Sequence, residues 1–526
     1  MKNIKVLMLA VAGVFALGLS SCVNDLDVTP IDPNVQLPQD VLKDEAAFEA
    51  LLAKCYQGLA CSSSDGADGA NGGPDINGVD GGFGQYLRAY FNLQCLTTDE
   101  ATCCWNDTGL PDMHNMNWQA SNQFIVAMYY RIFYQVSLCN ELIRQVNANP
   151  AGVEFQHKGA LIAEARALRA LSYYHAIDMF GNVPFATEHD AVGAEGPRQI
   201  SRADLFAWVE NECKELIEGN DLAAEGTNVY GRCDKGFVKM ILAKMYLNAE
   251  VYVGEDRYAD CAALCSDIIA HYGLHANFAD LFAADNHLFT ANSTYGAGNE
   301  IIFAVPHDGI NTTSYGGTNF LIFAGTGGDM DAAAQGISSG WGGLSVTKQV
   351  SERYAEGDVR AMFFTDYGTE IVDIFTFTSG GYKSMKFRNV NHDGTAAQTT
   401  GHVDTDFPLF RAADAHLMLA ECAARGKADK NAGLTSLNAV RKRAGLEAVS
   451  SYTAQDVLDE RSREFMWEGC RRSDLVRFGQ FTTDAYLWEY KGSVKEGAAV
   501  AEHRNLFPLP PADVNANANL TQNAGY

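Results

Sequence analysis

KGFVKMILAKMYLNAEV at residues 235–251, the break YVGEDR at 252–257 and YADCAALCSDIIAH at 258–271 decide the fold class. In both long segments apolar residues return at the spacing of an amphipathic helix, and Asp234 stands where an N-cap is needed. Two such helices joined by a short turn fold back on each other as an antiparallel hairpin. Residues 409–425 and 434–444 repeat the arrangement.

Most of the remaining chain has the same character. Helices are expected at 44–59, 123–146, 158–180, 202–217 and 454–470, with Ser201 and Thr453 as further N-caps. In 158–180, Ala160, Ala163, Ala167, Ala170, Tyr174 and Ile177 form one stripe, and Leu161, Leu168 and Leu171 line another side. A helix apolar on two sides packs against several neighbours, and alanines let those neighbours come close. The pairs are similar to tetratricopeptide units, although no strict 34-residue period is present. The fold class expected is mainly α: stacked helical hairpins with long loop-rich insertions forming the ligand face.

Two insertions interrupt the helices. Residues 62–84 are rich in Gly, Asp and Asn, and 306–343 mix many glycines with scattered aromatics. Each is either a plain surface insertion or a binding loop on a rigid scaffold. Trp and Tyr in or beside both favour binding, since linkers carry few aromatics.

The N-terminus reads as an export signal. Lys2 and Lys5 precede an apolar run over 6–19, and Leu19-Ser20-Ser21-Cys22 resembles the lipobox of bacterial lipoproteins. Residues 1–21 are therefore expected to be removed and Cys22 acylated, leaving 22–526 as one domain. An ordinary signal peptide with a chance cysteine is the alternative; Cys22 standing where processing requires it favours the lipobox. Several acyl chains on one cysteine make a stable anchor.

The formal net charge is −26, which argues against nucleic acid and anionic headgroups as ligands. Of 13 cysteines, Cys261 and Cys265 lie one helical turn apart, and Cys213, Cys422 and Cys470 sit within helical patterns. Buried free thiols account for these better than a disulfide framework. Adjacent Cys103 and Cys104 have no Cys or His nearby at ligand spacing, which favours a plain structural reading over a metal site.

The most specific residues are in the last third. Asp459-Glu460-Arg461-Ser462-Arg463-Glu464-Phe465, Trp467-Glu468-Gly469 and Arg471-Arg472-Ser473-Asp474-Leu475-Val476-Arg477-Phe478-Gly479 resemble the signature of the SusD/RagB family. So do Phe507-Pro508-Leu509-Pro510, the ending Leu520 to Tyr526, Glu164 to Ala170, and Phe180-Gly181-Asn182-Val183-Pro184-Phe185. The charged residues at 460, 463, 464, 468 and 471 recur at helical spacing, which suits ion pairs within and between helices.

The resemblance implies a surface lipoprotein of the Bacteroidetes outer membrane. Such a protein binds a nutrient beside a SusC-like TonB-dependent transporter. Within the family the likeness is nearest to the starch-binding member. Asn24 to Asp27, Pro30 to Pro33, Pro74-Asp75, Thr98 to Glu100, Tyr315-Gly316-Gly317 and Gly340-Trp341 fall in matching order. Carried over, its α-glucan site comprises Asp80, Arg88, Trp105, Tyr315 and Trp341, with Asn106 or Asp107 as the polar partner after Trp105. Trp and Tyr offer flat apolar faces to pyranose rings, and Arg, Asp and Asn bond paired hydroxyls. No cofactor is required, but the resemblance implies a structural calcium on Asp404 and Asp406, with His287 in place of a further acidic ligand. The alternative is that both carboxylates cap the helix expected at 409.

Three functions compete: an α-glucan-binding lipoprotein, a related lipoprotein for another glycan or peptide, and a glycosidase using acids such as Asp80, Asp99, Glu100 or Asp107. No nucleophile elbow, zinc-binding His-Glu-x-x-His or phosphate loop is found, which places the enzyme last. Cys22→Ala should release soluble protein or leave an uncleaved precursor. Undiminished incorporation of radiolabelled fatty acid into that variant would defeat the lipobox assignment.

Overall fold

A computed structural model describes residues 37–526 apart from 65, 68–72, 192, 194–195 and 290–299; the signal segment and Cys22 lie outside the described residues. The architecture is mainly helical, with only short two-stranded sheets among the described residues. No helix among those residues is long and apolar enough to cross a membrane.

Local signals hold well in the hairpins. Tyr258–His271 is helical throughout, and its partner runs Lys235–Leu247 with Asp234 accepting the N–H of Phe237. The expected helix does not continue unbroken to 251. At Asn248 φ is −102° and ψ 7°, its amide bonds back to Lys244 O, and a short second helix, Ala249–Val253, follows. Ser201 and Thr453 cap their helices as expected, Thr453 in a reciprocal capping box with Asp456. Helices Gln123–Ala148 and Lys158–Met179 pack together, as do Ala412–Ala424 and Lys430–Arg443.

Two expected helices are divided by long-range contacts. Phe407–Arg411 is a strand, antiparallel to Ile301–Val305, and the helix begins only at Ala412. The Asp404 and Asp406 capping reading is therefore wrong, because a strand separates them from the helix. The segment expected at 454–470 stops at Glu464 and resumes as Arg471–Arg477. Between them Trp467 adopts φ 65° and Gly469 φ 77°. Trp467 is held there by Glu100, which accepts its backbone N–H at 3.1 Å and, through the peptide oxygen, its indole N–H at 2.9 Å. A Cβ on Gly469 would stand 2.1 Å from the Tyr90 ring, so only glycine fits.

Most of the signature charges are buried in the interior. Arg411 is 1% exposed and pairs with Glu300, with Glu464 at 3.0 Å and with Glu468 at 2.7 Å. Arg443 reaches Glu300 and Glu464, and Arg360 reaches Asp358, Glu460 and Glu464. Burial pushes the Glu464 carboxyl up, but Arg443, Arg411 and Arg360 outweigh it and hold it well below the usual carboxylate range. The twelve cysteines after Cys22 are all free, and most are buried.

Arg411→Ala strips three buried carboxylates of a shared partner. The expected cost is about 3–5 kcal/mol, as when one side of a buried ion pair is removed. Urea denaturation measures it, and an unchanged midpoint would show that the network carries no stability.

Candidate functional site

A very short strand pairing organises the candidate site. Thr102–Cys103 lies antiparallel to Leu344–Ser345, with Cys103 opposite Leu344, and Cys104 donates its N–H to Gly343 O at 2.9 Å. Running one strand forward and the other backward brings Trp105 and Trp341 out at the same end. Their ring centroids are 6.4 Å apart at 47°. A Cβ at Gly343 would stand 2.5 Å from the Trp105 indole, so glycine is what lets the ring lie there.

The second insertion is not all loop, as expected from its glycines; it contains the helix Gly317–Gly325. Carbonyls of Phe323, Ala324 and Thr326 at its end accept the N–H groups of Trp341 (2.7 Å), Gly343 (2.8 Å) and Gly342 (2.8 Å). The helix thus satisfies its terminal carbonyls with the loop that carries Trp341. Phe323 backs Trp341 at 4.9 Å, and Phe320 approaches Trp105 at 6.1 Å. Before this helix, Ser314 donates to Ala60 O and accepts the N–H of Gly316, fixing the turn that presents Tyr315. The Tyr315 ring meets Trp341 at 6.0 Å and 65°, and His402 lies on its other side at 5.4 Å.

Arg88 ties the two insertions together. One terminal nitrogen donates to Gly82 O at 2.7 Å and to Tyr315 O at 3.3 Å, while the guanidinium lies 4.3 Å from the Phe320 ring centre and 5.8 Å from that of Trp105. Burial pushes this group down to about 10, with Cys103, Asp107 and Asp80 pulling the other way, so it stays charged at neutral pH. Asp80 is exposed and steadies the 80–84 turn by accepting the N–H groups of Gly82 (2.7 Å) and Phe83 (3.3 Å). Asn106 and Asp107 are exposed on the loop after Trp105.

Of the residues singled out from sequence, Arg88, Trp105, Tyr315 and Trp341 thus form one cluster, with Asp80 and Asp107 at its edge. Asp99 and Glu100 are withdrawn from it. Asp99 is fully buried and takes Arg471 through two hydrogen bonds of 2.7 Å. Burial and the neighbouring Asp99 push Glu100 up to about 8. Cys103 is a buried strand residue whose thiol burial pushes up to about 12. His402, Phe320 and Phe323 were missed. The apolar run 320–323 was the available signal for the phenylalanines; His402 carried none.

Asp404 and Asp406 lie by a separate cavity of about 510 Å³, with His287, His307 and Asp308 on its walls. Asp406 accepts from the Tyr230 hydroxyl and from the N–H of His307 at 2.7 Å. Asp404 accepts the N–H groups of Gly309 (2.9 Å) and Gln398 (2.7 Å). All four carboxylate oxygens are thus used by protein donors, and burial pushes Asp406 up to about 7. Among the described residues no three His, Cys, Asp or Glu side chains are grouped to hold a metal ion. The carboxylates of Asp285 and Asp308 line the same cavity, and a carboxylate oxygen that accepts one N–H keeps a lone pair for a hard cation.

The rings of the aromatic cluster are half-buried. A cavity of about 600 Å³ beside Lys54, Tyr56 and Arg232 is lined by none of its rings. The arrangement offers tilted apolar faces, a fixed cation and two exposed carboxylates.

A model of the SusD family matches residues 363–526. The starch-binding protein SusD of Bacteroides thetaiotaomicron is 32% identical, with 98% of each chain covered. Among solved structures, a SusD superfamily protein from Parabacteroides distasonis superposes with a TM-score of 0.69 at 20% identity, covering 92% of this chain and 99% of that one. Surface glycan-binding protein A from Bacteroides thetaiotaomicron, in complex with laminarihexaose, gives a TM-score of 0.66 at 19% identity, covering 91% and 99%. The resemblance drawn from the C-terminal motifs is borne out over nearly the whole chain, which belongs to the SusD family.

Proposed function

We propose that this chain is a surface glycan-capture lipoprotein. It binds α-glucan oligosaccharide on the shelf of Trp105, Tyr315 and Trp341 and passes it to a SusC-like TonB-dependent transporter without cleaving it. Acyl chains on Cys22 hold it to the outer membrane. The observation that carries this reading is the convergence of three rings, distant in sequence, into one half-buried arc beside Arg88.

The mutual tilts of 47° and 65° suit a chain that curves, because successive pyranose faces then meet successive rings. An α-1,4-glucan curves in this way. The ring positions are set by backbone hydrogen bonds and glycine contacts, so little side-chain freedom is lost on binding. Arg88, Asp80, Asn106 and Asp107 supply donors and acceptors for sugar hydroxyls. A relative named for binding starch supports the choice of α-glucan. With Asp99 and Glu100 committed to the interior, fewer acids remain for glycosidase chemistry, and binding without cleavage is the simpler account.

Replacing Trp105, Tyr315 or Trp341 with Ala should each weaken maltoheptaose binding by about 1–3 kcal/mol, by analogy with stacking of bases on aromatic side chains. Melting should fall by only a few degrees, since these rings are partly exposed; truncation of core aromatics costs about 3–5 kcal/mol. Calorimetric titration and thermal melts on the same proteins separate the two. Full binding by all three variants sinks the shelf reading, and products released from maltoheptaose would make the chain an enzyme. A panel including β-glucans, fructans and mucin oligosaccharides tests the sugar, and binding of laminarin alone would move the assignment to β-glucan.

Calcium on Asp404 and Asp406 is tested by chelation: an ion that binds only the folded state lowers the melting temperature on removal and raises it on addition, and a melting temperature unchanged by both would leave these carboxylates as acceptors for protein donors alone.

A further inference from the structure

The aromatic surface continues past Trp341. A Cβ at Gly342 would stand 3.5 Å from the Phe377 ring, and one at Gly327 would stand 3.1 Å from it. Tyr367 follows, its ring centre 6.4 Å from that of Phe377. The Tyr367 hydroxyl accepts the N–H of Asp329 at 2.7 Å and donates to the Asp329 carboxylate at 3.1 Å. These contacts pin residues 367–377 to the loop that carries Trp341.

The ground between the rings is glycine. A Cβ on Gly327 would lie 2.6 Å from the Gly342 Cα, so two backbones meet there with no side chain between them. Gly328, at φ 57°, lies against the Tyr367 hydroxyl in the same way. A floor without side chains leaves room for a polymer to lie across it.

Beyond Phe377 the chain holds apolar groups out in water on a fixed turn. The Asp373 carboxylate accepts the N–H of Phe375 at 3.1 Å and the Thr376 hydroxyl at 2.7 Å, and Val372 N–H bonds to Ser379 O at 2.8 Å. Ile371, 2% exposed, anchors the base. Yet Phe375 is 50% exposed and Val372 69%. Apolar groups displayed together beside polar ones mark a contact surface.

We infer that Tyr367, Phe375 and Phe377 form further sugar subsites continuous with the Trp105–Tyr315–Trp341 arc, so that the site takes chains longer than the arc alone can cover. The inference rests on the glycan reading above. Exposed Asp373 and Thr376 on the turn and Asp329 beside Tyr367 give these rings the polar neighbours that sugar hydroxyls need.

The test is a chain-length series. Maltotriose, maltoheptaose and a soluble longer amylose are titrated calorimetrically into the mature chain, Phe375→Ala, Tyr367→Ala and Trp341→Ala. If the panel selects another glycan, its own length series is used. Wild-type affinity should rise with length, and Phe375→Ala should lose about tenfold on the longest chain, the loss of one stacking contact, while leaving maltotriose unchanged. Phe375→Ala should melt as wild type does, because the ring is at a surface turn. Equal loss at every length, or none on the longest chain, overturns the extension; in the second case the patch is a protein contact. Wild type failing at every length, for every glycan tried, overturns the function reading itself. Binding lost in Trp341→Ala but unaffected in Phe375→Ala and Tyr367→Ala overturns only the extension.

Discussion

Arg411 sits where water does not reach, and its charge is tolerable only because Glu300, Glu464 and Glu468 surround it. Each partner belongs to a different piece of the fold. Glu300 precedes the Ile301–Val305 strand and accepts the Ala412 N–H on its carbonyl, Glu464 ends a helix, and Glu468 lies in the turn after it. Desolvating so many charges is expensive, and the pairing returns that cost only in one geometry. The network therefore acts as a register device: the strands, the helix end and the Trp467 turn must be in place together or a bare charge is left inside.

From that turn the constraint runs to the sugar shelf. Trp467 grips Glu100, and Arg471 grips Asp99, immediately before the strand that ends beside Trp105. Thr347 adds a bond from its hydroxyl to Asp99 O, just after the partner strand that begins beyond Trp341. The family signature thus touches no proposed ligand residue, yet it sets the segment from which Trp105 projects. A motif dense in charge reads at first like a reactive centre, but burial and mutual pairing commit these groups to structure.

The shelf itself is made by what is missing. Gly343 lets Trp105 lie down, Gly327 and Gly342 let two backbones touch, and the open carbonyls of the Gly317–Gly325 helix hold the Trp341 loop. Rings fixed in this way present their faces before any ligand arrives, which suits stacking on the apolar C–H faces of a repetitive chain.

The sequence by itself determined what depends on neighbours along the chain. Helical periodicity and side-chain caps located the hairpins, because Ser201, Asp234 and Thr453 act on N–H groups within a turn of themselves. The spacing of charges from 460 to 471 already announced ion pairs, and the motifs identified the family. Tertiary structure decided the rest. Residues 409–411 continue an apolar pattern compatible with helix, yet Ile301–Val305 offers a ladder, and the strand wins. Residues 465–470 leave the helix because Glu100 and Tyr90, remote in sequence, hold Trp467 and exclude a side chain at 469. Asp404 and Asp406 turned from expected caps into acceptors for Tyr230, His307, Gly309 and Gln398, since whichever donors the fold brings nearest take the oxygens. His402 joined Tyr315 by the same route. Local order is written in short-range periodicity, whereas a site assembled from four distant loops exists only once long-range pairing has paid the entropy of bringing them together.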